Sequence, residues 1–346
     1  MLRTKLNAFL KGEMMEKEIV SVIIPCYNGD SVIDRSIKSV YDQSIDFRIE
    51  LIIVDDGSTD KSKDRILEWV PLFERKQHLL KYVYQENKGL GGAINTGLKH
   101  VTGKYLTLLD ADDCFLPDSI NKRVVFLEKN PDFVGVRTNG WYDKDGERRL
   151  FVENIKEKMN TNLFDGLIGG SATNWAGSYM IRTDKLFDFY PDREIYPSRF
   201  GQNMQLLLPV SYKNKFGFID EPLMIYYLQS NSLSQAVTVE EQLKKDDRNF
   251  YGYFDIYMHM LKKIICDEED YAFYFNIVNS WKYRHELNKS MLSGNKKEAA
   301  EYFRLYEDTG RITLNEKIDY YSKTNPIRAV WLKVYRRIGM VLKGTK

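Results

Sequence analysis

Four apolar runs alternate with helical segments in the first part of this 346-residue chain. The runs cover residues 19–24, 51–54, 79–85 and 105–109, and polar residues follow each of them. Short apolar runs are typical of strands that are covered on both faces, and strands separated by helices usually pair in parallel. We therefore predict an α/β fold in which a mostly parallel sheet is flanked by helices. Ligands of such sheets bind beyond the carboxyl ends of the strands.

The composition sets limits on compartment and partners. Hydrophobic residues make up 43% of the chain and the net charge is only +2, so the chain can bury a core and lacks the basic excess of a nucleic-acid-binding protein. The three cysteines, Cys26, Cys114 and Cys266, are too widely spaced to indicate a disulfide framework or a zinc site. No apolar run reaches the roughly 20 residues of a membrane span. We expect a cytoplasmic protein with no nucleic-acid partner.

Three carboxylates, Asp110, Asp112 and Asp113, follow the fourth apolar run directly. Clustered carboxylates at the rim of a sheet repel one another, and a cation relieves this repulsion. Their hard oxygen atoms suit Mg²⁺ or Mn²⁺, which are usually bound by a few carboxylates together with substrate phosphates. An alternative is that Asp112 or Asp113 caps the helix that begins near Pro117. That role needs one acid and not three, so we favour a metal–diphosphate site.

A glycine-rich stretch, Gly89-Leu90-Gly91-Gly92, lies between the third apolar run and a helical segment. A dinucleotide-binding fingerprint would place its third glycine at the position of Ile94, so this class of site is excluded. The lysine and hydroxyl residue that follow the glycines of a P-loop are also missing.

The pattern changes after about residue 133. We predict further strands at 134–142, 148–152, 175–181 and 222–228, and one helix at 201–212. From about residue 239, Tyr, Lys and Glu recur at helical spacing without any strand pattern, which predicts a helical C-terminal region.

Residues 327–343 have the pattern of a basic amphipathic helix. Its basic residues are Arg328, Lys333, Arg336, Arg337 and Lys343. Its apolar residues, which fall roughly on one side, are Ile327, Val330, Trp331, Val334, Ile338 and Val341. This pattern is typical of peripheral contact with a membrane surface. A helix that packs its apolar side on the protein core would show the same pattern, and both interpretations stay open.

The polar motifs at the strand ends, in their order, resemble those of family 2 glycosyltransferases with the GT-A fold. The motifs are residues 20–28, 54–60, 87–89 with 93–97, and 109–113. The resemblance is strong over residues 19–118 and weaker through 229–234. It implies a GT-A fold, which is Rossmann-like, with a helical C-terminal region. The implied parts are an extension (1–18), a glycosyltransferase domain (19–238, with a nucleotide-sugar half at 19–118 and an acceptor half at 119–238) and a helical region (239–346).

The same resemblance implies roles for individual residues. The donor-binding residues would be Pro25, Tyr27, Asn28, Asp55, Asp56, Gly89, Asn95, Asp110 and Asp112. Asp56, with Asp55 beside it, would accept a hydrogen bond from the base, for which the imide N–H of uracil is suitable. Asp112 and Asp113 would hold Mn²⁺ or Mg²⁺, which stabilises the departing nucleoside diphosphate. Taken singly, Tyr27 could instead pack in the core, and residues 55–60 could be an ordinary capped turn.

The sequence departs from the family at the catalytic base. Inverting members usually carry an acidic pair before a helix in the acceptor half, but the matching residues here are Gln202 and Asn203, and amides cannot act as general bases. The base could come from Asp192 or Glu194 just upstream, the alignment could be displaced, or the chain could have lost activity. Asp192 and Glu194 could equally be surface acids that pair with neighbouring arginines.

Asn174 and Trp175 are the remaining candidates on the acceptor side, together with Gln202 and Asn203. An aromatic face such as that of Trp175 can stack on a sugar ring, although a core tryptophan is a plain alternative.

The resemblance implies an inverting, metal-dependent glycosyltransferase. It would move a sugar from a nucleotide sugar, with UDP as the first choice, to a hydroxyl of a glycan or lipid-linked glycan in surface-polysaccharide synthesis at the inner face of the cell membrane. Two alternatives stay open. One is a catalytically impaired protein that binds a nucleotide sugar or serves as a scaffold. The other is a sugar-1-phosphate nucleotidyltransferase, although residues 25–30 lack the glycine-rich basic loop that this class needs.

Overall fold

The computed structural model of the protein describes residues 19–228 and 239–343. The predicted extension at 1–18 and the motif at 229–234 lie outside the described residues. The chain forms two compact units, divided between Ile256 and Tyr257. The boundary that we place at residue 239 from the sequence stays a prediction.

The strands of the first unit form one sheet. In chain order they are β1 (Ile19–Cys26), β2 (Arg48–Asp56), β3 (Leu79–Gln85), β4 (Tyr105–Leu108), β5 (Cys114–Phe115), β6 (Phe133–Lys144), β7 (Glu147–Leu150), β8 (Tyr179–Arg182) and β9 (Lys215–Tyr227). The helices up to residue 211 are α1 (Ile33–Tyr41), α2 (Ser62–Arg75), α3 (Gly89–His100), α4 (Ser119–Lys129), α5 (Ile155–Met159), α6 (Leu163–Ile168), α7 (Thr183–Phe189) and α8 (Gln202–Ser211).

The sheet has the order β3-β2-β1-β4-β8-β6-β9-β5, and β7 pairs with β6. The pairs β1–β2, β1–β4 and β2–β3 are parallel, as the apolar runs predict. Beyond β4 the sheet is mixed, because β8 runs antiparallel to both β4 and β6 while β6 pairs with β9 in parallel. The α/β fold class is therefore confirmed, with its parallel block in the first half.

The central strands are buried on both faces, which explains their unbroken apolar sequence. Val22, Ile23 and Ile24 of β1 are fully buried, as are Ile52 and Ile53 of β2. Each such side chain contributes about 1.5–3 kcal/mol relative to an exposed one. The parallel strands are therefore a firm support, and the residues at their carboxyl ends have well-defined positions.

Helix α2 continues past Pro71 to Arg75. Phe73 in this last part is fully buried and packs on Tyr41, with ring centroids 5.6 Å apart, so tertiary packing outweighs the hydrogen bond that proline cannot make.

The strand that we predict at 175–181 from the sequence begins later than expected. Trp175 lies in a turn instead, because its carbonyl accepts hydrogen bonds from the backbone N–H and the hydroxyl of Ser178. The strand β8 begins only at Tyr179.

The described chain after residue 238 is helical, which confirms the predicted helical C-terminal region. Its helices are α9 (Val239–Ile264), α10 (Glu268–Ser293), α11 (Lys296–Asp308), α12 (Leu314–Thr324) and α13 (Pro326–Lys343). In the second unit, buried residues of α10 to α13 form one hydrophobic cluster that includes Leu287, Phe303, Tyr321 and Ala329. Among the helices of the described residues, none has both the length and the apolar character needed to cross a bilayer.

Candidate functional site

The loops that follow β1 and β2 are joined by hydrogen bonds. The backbone N–H of Asn28 donates to the Ser58 hydroxyl at 2.9 Å, and the Asn28 side-chain oxygen accepts from the Thr59 N–H at 2.8 Å. The N–H of Gly29 donates to the Ser62 hydroxyl at 2.8 Å. Asn28, a predicted donor residue, has a positive φ of 48°, a conformation that asparagine tolerates well. These bonds fix one side of the site before any ligand binds.

Asp55 and Asp56 end β2 and have different partners. Asp55 is buried and accepts hydrogen bonds from the Tyr82 hydroxyl at 2.6 Å and from the Ser58 N–H at 2.9 Å. Both of its oxygen atoms are therefore engaged in holding the turn. Successive side chains of a strand point to opposite faces, so Asp56 lies on the other face.

Asp56 is held from one side only. Its Oδ1 accepts hydrogen bonds from the Gln85 side-chain amide and from the Lys88 N–H, the latter at 2.8 Å. The residue is almost fully buried, yet it lines a cavity. Because both bonds use Oδ1, the other oxygen can serve a ligand.

The cavity beside Asp56 has a volume of about 430 Å³. It is lined by Pro25, Cys26, Tyr27, Asp56, Asn87, Gly89, Leu90, Ala93 and Arg199. The Tyr27 side chain is 56% exposed, so it does not pack in the core and can offer its ring to a ligand. The volume lies within the roughly 300–1,000 Å³ of small-molecule sites. Four of the predicted donor residues, Pro25, Tyr27, Asp56 and Gly89, thus line one cavity.

Arg199 is a cavity residue that the sequence did not indicate. It comes from the segment between α7 and α8, which crosses α3 at Gly91. A Cβ on Gly91 would lie 2.6 Å from the Ser198 carbonyl oxygen, so only glycine permits this crossing. Arg199 brings a positive charge to the cavity. Among the described residues that line it, the other charged side chain is that of Asp56.

Asn95 supports the same segment. Its side-chain nitrogen donates to the Ile195 carbonyl at 3.0 Å, and its oxygen accepts from the Ile195 N–H at 2.8 Å. The structure therefore gives this predicted donor residue a contact with the chain that carries Arg199.

Asp110, Asp112 and Asp113 gather in a turn after β4, which we call the acid cluster. The Asp113 N–H donates to the Asp110 carbonyl at 3.1 Å and closes the turn. Burial raises the pKa of Asp110, and the charge of Asp112 adds to the effect. Burial also raises the pKa of Asp113, followed by repulsion from Asp110 and Asp112. Negative charge in the acid cluster is thus poorly solvated and disfavoured.

One oxygen of the acid cluster has no hydrogen-bond partner within residues 19–228 and 239–343. Asp113 Oδ1 accepts a hydrogen bond from the Tyr227 N–H at 3.0 Å, whereas Oδ2 is buried and has no hydrogen bond to any residue that the structure describes. A buried polar atom without a partner is costly, and a hard divalent cation would satisfy it. The residues present therefore fit Mg²⁺ or Mn²⁺.

The two predicted bases lie elsewhere. Glu194 forms an ion pair with Lys99, which lowers the pKa of its carboxyl group, and Asp192 is an exposed residue of the same loop. Lys99 is in the last turn of α3, whereas Gly89 begins that helix at the cavity. At 1.5 Å per residue these helix positions are about 15 Å apart. This placement is a reason to look for the proton acceptor elsewhere.

Three of the predicted acceptor-side residues, Asn174, Gln202 and Asn203, lie around the start of α8. Gln202 donates to the Ser198 carbonyl at 2.9 Å, and the Asn203 oxygen accepts from the buried Tyr179 hydroxyl at 2.8 Å. Asn174 lies against Met204, with its nitrogen 3.4 Å from the sulfur. The loop before β8 and the first turn of α8 therefore contact each other.

Comparison with known proteins identifies the domain. The family model described as Glycosyl transferase family 2 matches residues 21–188, a range that holds most of β1, all of β2 to β8, and the acid cluster. Residues 21–188 belong to glycosyl transferase family 2. This family 2 domain contains most of the lining of the cavity, while Arg199, Gln202 and Asn203 lie beyond the matched range.

The curated relatives are named as glycosyltransferases. An uncharacterized glycosyltransferase of Rickettsia conorii is 31% identical over 207 residues, which are 59% of this chain and 32% of the relative. Glycosyltransferase GlyA of Streptococcus pneumoniae is 27% identical over 242 residues, which are 65% of this chain and 33% of the relative. The chain thus spans about a third of the length of these curated relatives.

A solved structure shares the fold. Residues 1–349 of TarS from S. aureus superpose with a TM-score of 0.59 at 18% identity, covering 92% of this chain and 91% of that one. The match extends the fold assignment beyond the family 2 domain.

Proposed function

We propose that this chain transfers a sugar from a nucleotide sugar to a hydroxyl of a glycan or lipid-linked glycan. The observation that carries the proposal is the order β2-β1-β4, which sets Asp56, Tyr27 and the acid cluster at three adjacent strand ends. Strands lie about 4.8 Å apart, so the ends of β2 and β4 are about 10 Å apart. This spacing suits a nucleoside diphosphate with its base at one end and its phosphates at the other.

The base end favours uracil. Tyr27 offers an aromatic face, and Asp56 offers a carboxylate oxygen that can accept from an imide N–H. TarS, which shares the fold, was solved in complex with UDP-GlcNAc, in line with a uridine nucleotide. We therefore propose a UDP-sugar as donor, with Pro25, Asn28, Asp55, Gly89 and Asn95 shaping or supporting the cavity.

The phosphate end combines a cation site with positive protein groups. Asp112 and Asp113 would hold Mn²⁺ or Mg²⁺, with Asp110 beside them, and this cation supplies Lewis-acid stabilisation of the leaving diphosphate. Arg199 and the N-terminus of α3 at Gly89 add positive charge on the cavity side. These groups would hold the nucleoside diphosphate as its bond to the sugar breaks.

We propose that the reaction inverts the anomeric carbon. An acceptor oxygen forms its bond to this carbon while the diphosphate departs with the bonding electron pair, and the acceptor proton passes to a base. Asp192 and Glu194 stay predictions for this base. They would require the segment 190–199 to move toward the cavity, because Glu194 now pairs with Lys99.

One observation favours a second candidate function. Asn203 presents an amide at the position where the resemblance expects an acid, so a protein that binds the donor without turnover is the alternative. The test is thermal unfolding of the full chain with UDP, GDP or dTDP in the presence of Mn²⁺ or Mg²⁺, followed by assays of UDP-sugar hydrolysis. We expect metal-dependent stabilisation by UDP and slow hydrolysis that Asp112→Asn abolishes. Stabilisation without hydrolysis of any UDP-sugar favours the impaired protein, and no stabilisation by any nucleotide overturns the donor site.

A separate assay tests the nucleotidyltransferase alternative. That enzyme would release pyrophosphate when it is given UTP and a sugar 1-phosphate, and we expect no pyrophosphate from this chain.

We propose in addition that α13 lies on the cytoplasmic face of the membrane. Four of its apolar side chains are between 45% and 75% exposed, namely Ile327, Val330, Trp331 and Val334. Their spacing places them on one face of the helix, whereas Ala329 on another face is buried in the hydrophobic cluster of its unit. Arg328 and Lys333 flank the exposed face. An apolar face between basic residues fits a surface of anionic lipids.

A further inference from the structure

Three aromatic side chains beside the acid cluster form a half-buried group, which we call the aromatic platform. Its members are Tyr142, Trp175 and Tyr226. The ring centroid of Trp175 lies 5.2 Å from that of Tyr226 and 6.0 Å from that of Tyr142, and the two tyrosines are 6.0 Å apart. The indole N–H of Trp175 donates to the Tyr142 hydroxyl at 2.6 Å. This bond satisfies the polar edge of the tryptophan inside the platform and fixes its orientation.

The platform adjoins the proposed metal site. Tyr142 of β6 and Tyr226 of β9 are cross-strand partners. The residue after Tyr226 is Tyr227, whose N–H donates to Asp113. Burial and the nearby carboxylates, Asp113 first among them, raise the pKa of Tyr226 to about 12. The platform and the acid cluster are therefore neighbours.

Packing uses only part of the platform. Tyr226 contacts the hydrophobic core of this unit, but the three platform rings keep part of their surface in solvent, unlike the fully buried Tyr105 and Tyr179. Tyr142 also packs on Phe151, with ring centroids 4.6 Å apart, and carries the Arg149 guanidinium 4.7 Å from its centroid. Tyr142 is thus covered, and Trp175 and Tyr226 are the rings left to meet a ligand.

Flat apolar rings next to polar groups are typical of sites that bind sugar rings, because the C–H face of a pyranose packs on an aromatic face. We infer that the aromatic platform binds the terminal pyranose ring of the acceptor, next to the anomeric carbon of the donor. This inference rests on the proposed function, and it names the acceptor class as a glycan that ends in a pyranose. Tyr142 is then a positioning residue, because its hydroxyl accepts the hydrogen bond that orients Trp175.

The first test is NMR on the full chain labelled with ¹⁵N, in the presence of UDP and Mg²⁺, since Mn²⁺ would broaden the signals. The chain has five tryptophans, and Trp175→Phe assigns the indole signal of Trp175. We expect methyl glucoside or methyl N-acetylglucosaminide at millimolar concentration to shift that signal, and the open-chain polyol sorbitol to leave it in place. A signal that no pyranoside moves, or that sorbitol moves equally, overturns the inference.

The second test separates the acceptor from the donor. Trp175→Ala should lower transfer to a pyranoside acceptor at least tenfold, mainly through KM, while UDP still stabilises the protein with metal. Trp141→Ala is the matched control, because Trp141 precedes Tyr142 in β6 and points to the opposite face. Tyr226→Leu serves if Trp175→Ala does not fold. Unchanged KM in these variants overturns the platform, whereas absence of UDP stabilisation in the unaltered chain overturns the proposed donor site instead.

Discussion

The backbone N–H of Tyr227 donates a hydrogen bond to Asp113 Oδ1 at 3.0 Å, across 114 positions of sequence. The Tyr227 ring also lies under the Arg35 guanidinium, 3.7 Å from its centroid, and Arg35 donates to the Asp112 carbonyl. The end of β9 therefore supports the acid cluster from outside the matched family 2 range. A strand from the predicted acceptor half thus helps to position two predicted metal ligands.

Asp113→Asn should remove metal-dependent stabilisation by UDP without unfolding the protein. The amide oxygen can still accept from Tyr227, but an amide nitrogen replaces the oxygen that would bind the cation. A ligand at a hundred times its Kd stabilises by about 2.7 kcal/mol, a shift of a few degrees in Tm. We expect this shift in the unaltered chain and in the control Asp132→Asn, an exposed acid, and none in Asp113→Asn.

The same variant should be at least as stable as the unaltered chain at pH 7 without metal. Burial raises the pKa of Asp113, so the folded state binds this proton more tightly than the unfolded state. The free energy of unfolding of the unaltered chain therefore falls as pH rises from the ordinary aspartate pKa towards the raised value. Asparagine carries no such charge. A clear loss of metal-free stability would contradict this account.

Asp56→Asn should weaken UDP binding by about 10- to 100-fold, the effect of a lost hydrogen bond to a charged group. The asparagine oxygen can keep its bonds to Gln85 and Lys88, so the fold should persist. Titration calorimetry with UDP measures the effect, and Asp64→Asn, an exposed acid in the first turn of α2, is the control. Equal affinity in Asp56→Asn and the control would mean that Asp56 does not contact the base.

Glu50 should control stability in acid. This buried carboxylate of β2 accepts hydrogen bonds from Ser21, Lys81 and Thr102, at 2.6 to 3.0 Å. Although burial opposes the charge, these bonds lower its pKa in the folded state. Its contribution is therefore present above the ordinary glutamate pKa and is lost as pH falls through the lowered value.

We expect Glu50→Gln to cost about 1–3 kcal/mol at pH 7 and to approach the stability of the unaltered chain near pH 3. Urea unfolding at several pH values measures this, with the exposed Glu68→Gln as control. A difference that does not change with pH would show that the Glu50 charge is not responsible.

Asn203 should respond differently to two substitutions. Asn203→Ala leaves the buried Tyr179 hydroxyl without its acceptor and should cost about 1–3 kcal/mol, whereas Asn203→Asp keeps an acceptor and should cost less. If the missing catalytic base belongs at this position, Asn203→Asp should also raise the transfer rate at least tenfold, since a general base contributes about 10²–10⁴-fold. This gain in rate should grow as pH rises and the new carboxyl group ionises. An unchanged rate would show that the proton leaves by another route.

Trp331→Glu should reduce binding of the full chain to vesicles that contain anionic lipid, because it places a negative charge in the exposed apolar face of α13. Co-flotation with phosphatidylglycerol vesicles measures this. The control is Leu292→Glu, which changes another exposed apolar residue of the same unit, on α10. Binding that Leu292→Glu reduces equally, or that pure phosphatidylcholine supports equally, would exclude α13 as the contact.

The sequence alone determined the parallel block and its polar edge. Val22, Ile53 and Leu108 belong to short apolar runs whose strand character is local, and each run leads directly into its motif. Because the carboxyl ends of neighbouring parallel strands meet at one edge, the nearness of Tyr27, Asp56 and the acid cluster followed from chain order and strand pairing.

Only the tertiary structure decided which distant residues complete the site. Arg199 reaches the cavity because the chain crosses α3 at a glycine. Tyr227 supports Asp113 through the end of β9. Trp175 lies in a turn and not in the predicted strand, and it packs in the aromatic platform. Glu194 instead pairs with Lys99 at the far end of α3. These contacts join residues 33 to 114 positions apart, and they depend on packing and strand register, which local sequence patterns do not encode.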